Sequence, residues 1–154
     1  MSGKIESRLA ELGIDLAQGP APAANYVPYA IVGDLVTISG QISMTPEGML
    51  TGKLGDDVSL EQGQAAARVC AINLLSQLKS ACGGDLDRVV RVVRLGGFVN
   101  STPDFTDQPA VINGASDFMV EVFGDAGKHA RAAVGCVSLP FGVAVEVEGT
   151  FQIK

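Results

Sequence analysis

The sequence predicts an α+β fold in which two long helices cover one face of a β-sheet. Three observations lead to this prediction: apolar residues recur at helical spacing in two long segments, β-branched segments lie around them, and turn residues separate these segments. The predicted order is helix, hairpin, helix, strand, helix, hairpin. No linker interrupts the 154 residues, so we expect a single domain over residues 1–154.

The first predicted element is a short amphipathic helix over residues 2–13, whose apolar residues recur at helical spacing up to a glycine. These residues are Ile5, Leu9, Leu12 and Gly13. A loop rich in Pro and Ala follows at residues 19–25. We therefore expect residues 1–25 to form an N-terminal helix-and-loop extension ahead of the main body.

A β-hairpin comes next, with strands predicted over residues 26–32 and 35–42. The chain is expected to turn at Gly33-Asp34 between them. Gly48 marks a further short strand or turn.

The first long helix has a clear start and a clear stop. Ser59 and Gln62 have the spacing of a capping box, and Gly83-Gly84 ends the Ala-rich segment that follows. The apolar positions of one helix face are expected to lie on the sheet. They are residues 66, 67, 70, 71, 74, 75 and 78.

The β-branched segment 89–99 is predicted to be a strand, in which Gly96-Gly97 indicates a bulge or a close approach to the backbone. Asp104 is expected to cap a second long helix that runs to Phe123, with Gly124 beyond it.

The last predicted hairpin carries the residues that are most informative about function. Arg131 opens an apolar strand, the chain turns at Pro140, and the returning strand places Glu146 and Glu148 on one face. An arginine set among Ala, Val and Gly is suited to receive a carboxylate. This arrangement indicates a small organic acid as ligand, although a tight turn would pair Glu146 with Gly135 instead of Arg131.

Composition excludes several classes of function. The net charge of −6 argues against nucleic acid as a partner, and the only basic run, Arg88, Arg91 and Arg94, alternates between strand faces. No apolar segment is long enough to span a membrane and no signal peptide is evident, so we expect no membrane partner and a cytoplasmic location.

The cysteines and the single histidine indicate neither a disulfide nor a metal site. Cys70 and Cys82 would lie about 18 Å apart on one helix and cannot bridge. We expect buried structural thiols at these two positions and at Cys136, and no metal or other cofactor.

The end of the chain resembles the RidA/YjgF family, enamine/imine deaminases often called "L-PSP endoribonucleases". The residues at the family's spacing are Arg131, Leu139, Pro140, Glu146 and Glu148. Further similarity lies in Pro28-Tyr29, in residues 38–42, in Asp104-Phe105 and in Ile112-Asn113. The resemblance extends from about residue 26 to 153 and implies a chorismate-mutase-like fold with a mixed sheet, assembled as a trimeric barrel with ligand sites between subunits.

The resemblance also implies two catalytic residues. Arg131 would grip the substrate carboxylate, and Glu146 would hold or deprotonate a water. An ion pair between Arg131 and Glu146 or Glu148 is the structural alternative, and Glu148 is otherwise a solvated or barrel-lining acid.

Five further residues are expected to bind substrate. Ser39 and Gly40 lie at a strand end, and Ala133 offers only a backbone donor where many members have a cysteine. Tyr29 would form a wall of the pocket and Asn113 would line the cleft. Tyr26 is an alternative to Tyr29 as the wall of the pocket. Asn113 could instead be an ordinary polar residue of the helix. His129 is interpreted as a loop residue.

The resemblance implies hydrolysis of reactive 2-enamine and 2-imine acids to 2-keto acids and ammonia, as in a 2-iminobutanoate/2-iminopropanoate deaminase. The expected partners are a small 2-imino or 2-keto acid and two further copies of the chain. The alternative is a non-catalytic trimer that binds a small carboxylic metabolite or a partner enzyme, because one fold hosts many functions. We rank ribonuclease activity third, since paired histidines are lacking.

Overall fold

The computed structural model describes residues 3–16 and 25–154. The predicted loop at 19–25 therefore lies almost wholly outside the described residues. The helices are α1 (Lys4–Glu11), α2 (Leu60–Ala81) and α3 (Gln108–Phe123). The strands are β1 (Tyr29–Val32), β2 (Leu35–Ile42), β3 (Met44–Thr45), β4 (Gly48–Met49), β5 (Val89–Asn100), β6 (Ala130–Cys136) and β7 (Val145–Ile153).

Five strands form one mixed sheet in the order β1-β2-β7-β5-β6. The pair β5–β6 is parallel and the other pairs are antiparallel. Strands β3 and β4 form a separate small hairpin. The predicted α+β fold with a mixed sheet is confirmed.

The prediction of a final hairpin is wrong, because β7 does not pair with β6. Helix α3 is the crossover of a parallel β5–α3–β6 unit, and β7 then enters the sheet between β2 and β5. Glu146 consequently lies beside Ile42 and Phe98, and the expected pairing with Gly135 does not occur.

Helices α2 and α3 cover one face of the sheet. The capping box of α2 is present, with Ser59 Oγ accepting from the backbone N–H of Gln62. All seven apolar positions predicted for its buried face are buried. The two helices approach closely at Gly114, where an added Cβ would lie 2.0 Å from the carbonyl oxygen of Gln64.

Two local predictions need correction. Helix α3 begins after Asp107, which makes no side-chain cap bond, so Asp104 is not the cap; Gly124 does end the helix with φ 64°. The bulges of β5 lie near Arg91 and Val92–Arg94, not at Gly96-Gly97. The alternative of a close approach is correct for Gly97, because a Cβ there would lie 2.5 Å from Ile112.

The N-terminal helix α1 docks near the C-terminal ends of α2 and α3. The carboxylate of Asp87 accepts from the backbone N–H groups of Lys4 and Ile5, both at 2.9 Å. Arg8 Nε donates to the carbonyl oxygen of Glu121, and Leu9 is buried in the core. Helix α1 therefore adds to the packed body.

The strand β7 shows why the two faces of the sheet differ. Its odd-numbered residues from Val145 to Ile153 are buried under the helices, whereas the residues between them are half-buried on the opposite, open face. None of the described helices covers this open face. On β6 the exposed residues include Val134.

Cys70 and Cys82 are buried as predicted, but Cys136 is only half-buried because it ends the edge strand β6. Among the described residues, no helix is long and apolar enough to cross a membrane.

Candidate substrate-binding site

Arg131 lies on the edge strand β6 and reaches towards helix α3. It pairs with buried Leu95 of β5, so its side chain projects from the sheet face that carries the helices. Its Nη1 donates to Asn113 Oδ1 at 2.8 Å and to Ser116 Oγ at 3.2 Å. The structure thus brings together two of the residues that were predicted separately, Arg131 and Asn113.

No carboxylate among the described residues lies within 4.0 Å of the Arg131 guanidinium. The alternative of an ion pair with Glu146 or Glu148 is wrong, because these acids project from the opposite face of the sheet. With both Nη1 hydrogens donated to neutral oxygens, the Nε and Nη2 hydrogens remain for a ligand. These form the edge of the guanidinium that holds a carboxylate by two parallel hydrogen bonds.

Ser116 also contacts His129, whose ring is held in a defined tautomer. His129 Nδ1 lies 2.6 Å from the carbonyl oxygen of Gly127, which can only accept, so Nδ1 carries a proton. Burial, and to a lesser degree the charge of Arg131, lowers the pKa of His129, although the bond to Gly127 opposes this shift. In the neutral ring Nε2 is then an acceptor, and Ser116 Oγ donates to it at 2.9 Å.

Glu146 projects from the open face of the sheet beside the backbone of Gly40. A Cβ built on Gly40 would lie 3.0 Å from the carboxyl carbon of Glu146, so the glycine is what gives this acid room. Burial raises the pKa of Glu146, and the neighbouring charge of Glu148 raises it further. A carboxyl group with a raised pKa is better able to take and return a proton near neutral pH.

Ser39 and Gly40 lie in a bulge of β2, where the register against β7 shifts between Ile38 and Gln41. Bulges redirect the backbone and are frequent beside functional sites. Ser39 Oγ donates to the carbonyl oxygen of Val27 at 2.7 Å, so its proton is already used by the protein. Gly40 is exposed.

Tyr29 and Ala133 have environments that differ from each other. Tyr29 pairs with buried Ile38 and packs against the core, on the helix-covered side of the sheet. Ala133 is half-buried opposite Gly97. Because β6 is an edge strand, some of its backbone N–H groups point away from the sheet without a strand partner among the described residues.

Six of the seven predicted site residues therefore form two clusters that do not meet within one chain, whereas Tyr29 lies apart from the β6 edge on strand β1. Arg131, Asn113 and Ala133 lie at the β6 edge, on the helix side. Gly40 and Glu146 lie on the open face, with Ser39 in the same bulge as Gly40. Strand β5 lies between β7 and β6, so Glu146 and Arg131 are on strands about 10 Å apart. The two clusters also lie on opposite faces of the sheet.

Ser116 and His129 were not predicted as site residues. Two spacing signals point to them: Ser116 follows Asn113 by three residues on one helix face, and His129 precedes Arg131 by two residues, directly before strand β6. Within the described part of the chain, no group of three or more His, Cys, Asp or Glu side chains is arranged to hold a metal ion.

A family model described as "YjgF/chorismate mutase-like, putative endoribonuclease" matches residues 6–147 of the chain. Protein TCP17 of Trypanosoma cruzi is 49% identical over 155 residues, which cover 99% of this chain and 96% of that protein. The crystal structure of Atu1372, a protein with unknown function from Agrobacterium tumefaciens, is 47% identical with a TM-score of 0.91, covering 97% of this chain and 92% of its own.

A solved structure of RidA, from the Antarctic bacterium Psychrobacter sp. PAMC 21119, is 28% identical with a TM-score of 0.60. It covers 88% of this chain, which in turn covers 94% of it. The backbone of this chain is thus more similar to Atu1372 than to this RidA.

Proposed function

Since the chain belongs to the YjgF/chorismate mutase-like family, we propose that it hydrolyses 2-imino acids to 2-keto acids and ammonia. The substrate class is a small acid of the 2-iminopropanoate or 2-iminobutanoate type, or the enamine tautomer of such an acid. The proposed partners are this acid and further copies of the same chain.

The observation that carries the proposal is the set of hydrogen-bond partners of the Arg131 guanidinium. Its guanidinium is held by two neutral oxygens and has no carboxylate partner among the described residues, so the two N–H donors of its Nε–Nη2 edge are available to a ligand. A permanent positive charge that has no counter-ion in the described part of the chain, and whose Nη1 atom is held in place, suits the carboxylate that every proposed substrate carries.

The reaction needs little beyond binding and a water. Water adds to the imine carbon, and the resulting carbinolamine expels ammonia as its hydroxyl proton passes to the nitrogen and the carbon–oxygen double bond forms. Glu146 can take the proton of the attacking water and return it to the leaving nitrogen, a role that its raised pKa supports. Holding the carboxylate and the water together supplies the remaining acceleration.

Both residues must contact one substrate, and one chain does not allow this. Arg131 and Glu146 project from opposite faces of the same sheet. We therefore propose that each site combines Arg131 of one subunit with Glu146 of its neighbour in a homotrimer. The helix-free face that carries Glu146 would then be covered by other subunits.

The test is an assay of imine hydrolysis. An amino-acid oxidase generates 2-iminobutanoate in the presence of semicarbazide, which captures the imine, and semicarbazone formation is followed with and without the protein. The proposal predicts that the protein slows semicarbazone formation while 2-oxobutanoate accumulates faster. Glu146→Gln should lower turnover by about 100-fold or more, because the amide cannot take a proton. Unchanged semicarbazone formation at high protein concentration would contradict the proposal.

The second candidate is a trimer that binds small carboxylic acids without turnover. It is favoured by the engagement of Ser39 and Tyr29 with the protein itself, since the hydroxyl proton of Ser39 goes to Val27 and Tyr29 packs on the core. Saturable binding of 2-oxobutanoate with no effect on imine hydrolysis would support this candidate.

A further inference from the structure

We infer that Ser116 and His129 are positioning residues, which fix the guanidinium of Arg131 so that its Nε–Nη2 edge faces the ligand. This inference rests on the proposed function, in which Arg131 binds the substrate carboxylate. It assigns a role to the single histidine of the chain.

We call the chain of hydrogen bonds from Gly127 through His129 and Ser116 to Arg131 the relay, and it starts at the backbone. The carbonyl oxygen of Gly127, which is buried, accepts from His129 Nδ1, and this bond orients the ring and places the lone pair of Nε2 towards α3. Because burial lowers the pKa of His129, the ring stays neutral at pH 7 and keeps Nε2 as an acceptor.

Ser116 transmits this orientation to the arginine. A serine hydroxyl has one hydrogen and two lone pairs. Its hydrogen goes to His129 Nε2, so the lone pairs are directed towards Arg131 Nη1. Without the histidine the hydroxyl could rotate and donate elsewhere, and the second Nη1 hydrogen would lose its fixed acceptor.

Asn113 completes the arrangement by accepting the other Nη1 hydrogen. The guanidinium is then held at Nη1 from two sides while its opposite edge stays free. An arginine whose rotation is already restricted loses less entropy when a carboxylate binds. The relay should therefore raise affinity without any contact between Ser116 or His129 and the ligand.

The first experiment measures the affinity for 2-oxobutanoate by calorimetry on the full-length protein. Ser116→Ala is expected to weaken binding about tenfold, the scale of one hydrogen bond to a charged group, whereas Ser116→Thr keeps the hydroxyl and should retain most of the affinity. His129→Leu removes the acceptor and should weaken binding in the same direction. His129→Gln, whose amide oxygen can accept from Ser116, should bind more tightly than His129→Leu.

Ser76→Ala is the matched control, because Ser76 is a half-buried helical serine whose hydroxyl, among the residues that the structure describes, bonds only to the carbonyl oxygen of Ile72 in its own helix. It should bind like the parent. If Ser116→Ala also binds like the parent while Arg131→Ala loses binding, the relay is refuted and the proposed function stands. If Arg131→Ala itself binds like the parent, the proposed function is refuted.

Nitrogen-15 spectra test the relay even where no ligand binds. The one histidine gives an unambiguous signal, and we expect Nδ1 protonated and Nε2 bare at pH 7, with the Nε2 resonance moving in Ser116→Ala. The Arg131 Nη groups should rotate slowly in the parent and in Ser116→Thr, but faster in Ser116→Ala. A ring with the proton on Nε2, or Nη rotation that is the same in all three proteins, would overturn the inference.

Discussion

At the residue scale, Arg131 shows how much of the site could be predicted. Its isolation among small apolar residues indicated a carboxylate receptor, and the family resemblance separately implied that Asn113 lines the cleft. The structure places both within hydrogen-bonding distance. The roles of Ser116 and His129 could not be derived, because they depend on how closely α3 lies against β6, which no local pattern in the sequence specifies.

Arg131→Lys tests the two-pronged geometry. Lysine keeps the positive charge but presents a single ammonium group, and it loses the Nη1 bonds to Asn113 and Ser116. We expect affinity for 2-oxobutanoate to weaken by about 1.5 to 3 kcal/mol, with unchanged oligomeric state. Calorimetry and light scattering on the same samples measure both; equal affinity in the two proteins would show that another group binds the carboxylate.

Glu146→Gln has a second predicted effect, on the pH dependence of stability. The pKa of Glu146 is raised in the folded protein, so folding favours its protonated form. Glu146 therefore makes its full contribution to the free energy of unfolding below the ordinary pKa of glutamate, and this contribution is lost as the pH rises through the raised pKa. The substitution removes this loss.

The Glu146→Gln protein should therefore unfold at a higher temperature than the parent at pH 7, and the difference should vanish in acid. Melting curves between pH 4 and pH 8 would measure it, with Glu47→Gln, a substitution of an exposed acid, as the control. A variant that is less stable than the parent at every pH would contradict the environment described for Glu146.

At the element scale, local signals predicted the helices and strands better than their pairing. The capping box and the apolar face of α2 are encoded within one segment, and both are confirmed. The position of β7 between β2 and β5 depends on contacts between distant segments. A hairpin was the simplest prediction for β6 and β7. Instead, α3 brings the chain back so that β6 pairs in parallel with β5 at the edge of the sheet, and β7 pairs with β5 on its other side.

The contact between α2 and α3 depends on Gly114, where a side chain would collide with the backbone at Gln64. Gly114→Ala should force the helices apart and destabilise the protein by about 2 kcal/mol, as expected for overpacking. Because Gly114 lies between Asn113 and Ser116, affinity for 2-oxobutanoate should fall as well. Denaturant unfolding measures the first effect, with exposed Asp117→Ala as the control; equal stability of the two variants would contradict the close helix contact.

Helix α1 should contribute to stability and not to ligand binding. Leu9 is buried in the core, and α1 contacts α3 near Glu121, about 12 Å along the helix from Asn113. Leu9→Ala is expected to destabilise the protein by about 2 kcal/mol through loss of apolar burial, with unchanged affinity for 2-oxobutanoate. Exposed Glu11→Ala is the control, and a large loss of affinity in Leu9→Ala would show that the extension acts on the site.

At the scale of the whole molecule, the residues of the proposed site form two separate clusters within one chain. The proposed trimer would join them, and exposed apolar residues support it. Phe141 is 76% exposed and has φ 59°, a strained conformation for a residue with a side chain. Val134 and Val137 are also exposed near the β6 edge. Sequence patterns alone cannot place such residues, because their contacts would come from another copy of the chain.

Subunit complementation tests the central claim, that each site takes Arg131 from one subunit and Glu146 from the next. Arg131→Ala and Glu146→Gln are each expected to be almost inactive in imine hydrolysis, because every site in either homotrimer lacks one residue. When the two proteins are unfolded together and refolded as a mixture, some interfaces combine an intact Arg131 with an intact Glu146. For random assembly about one quarter of the sites are intact, so the mixture should recover about one quarter of the parent's activity per subunit. A mixture no more active than the separately refolded variants would contradict the shared site.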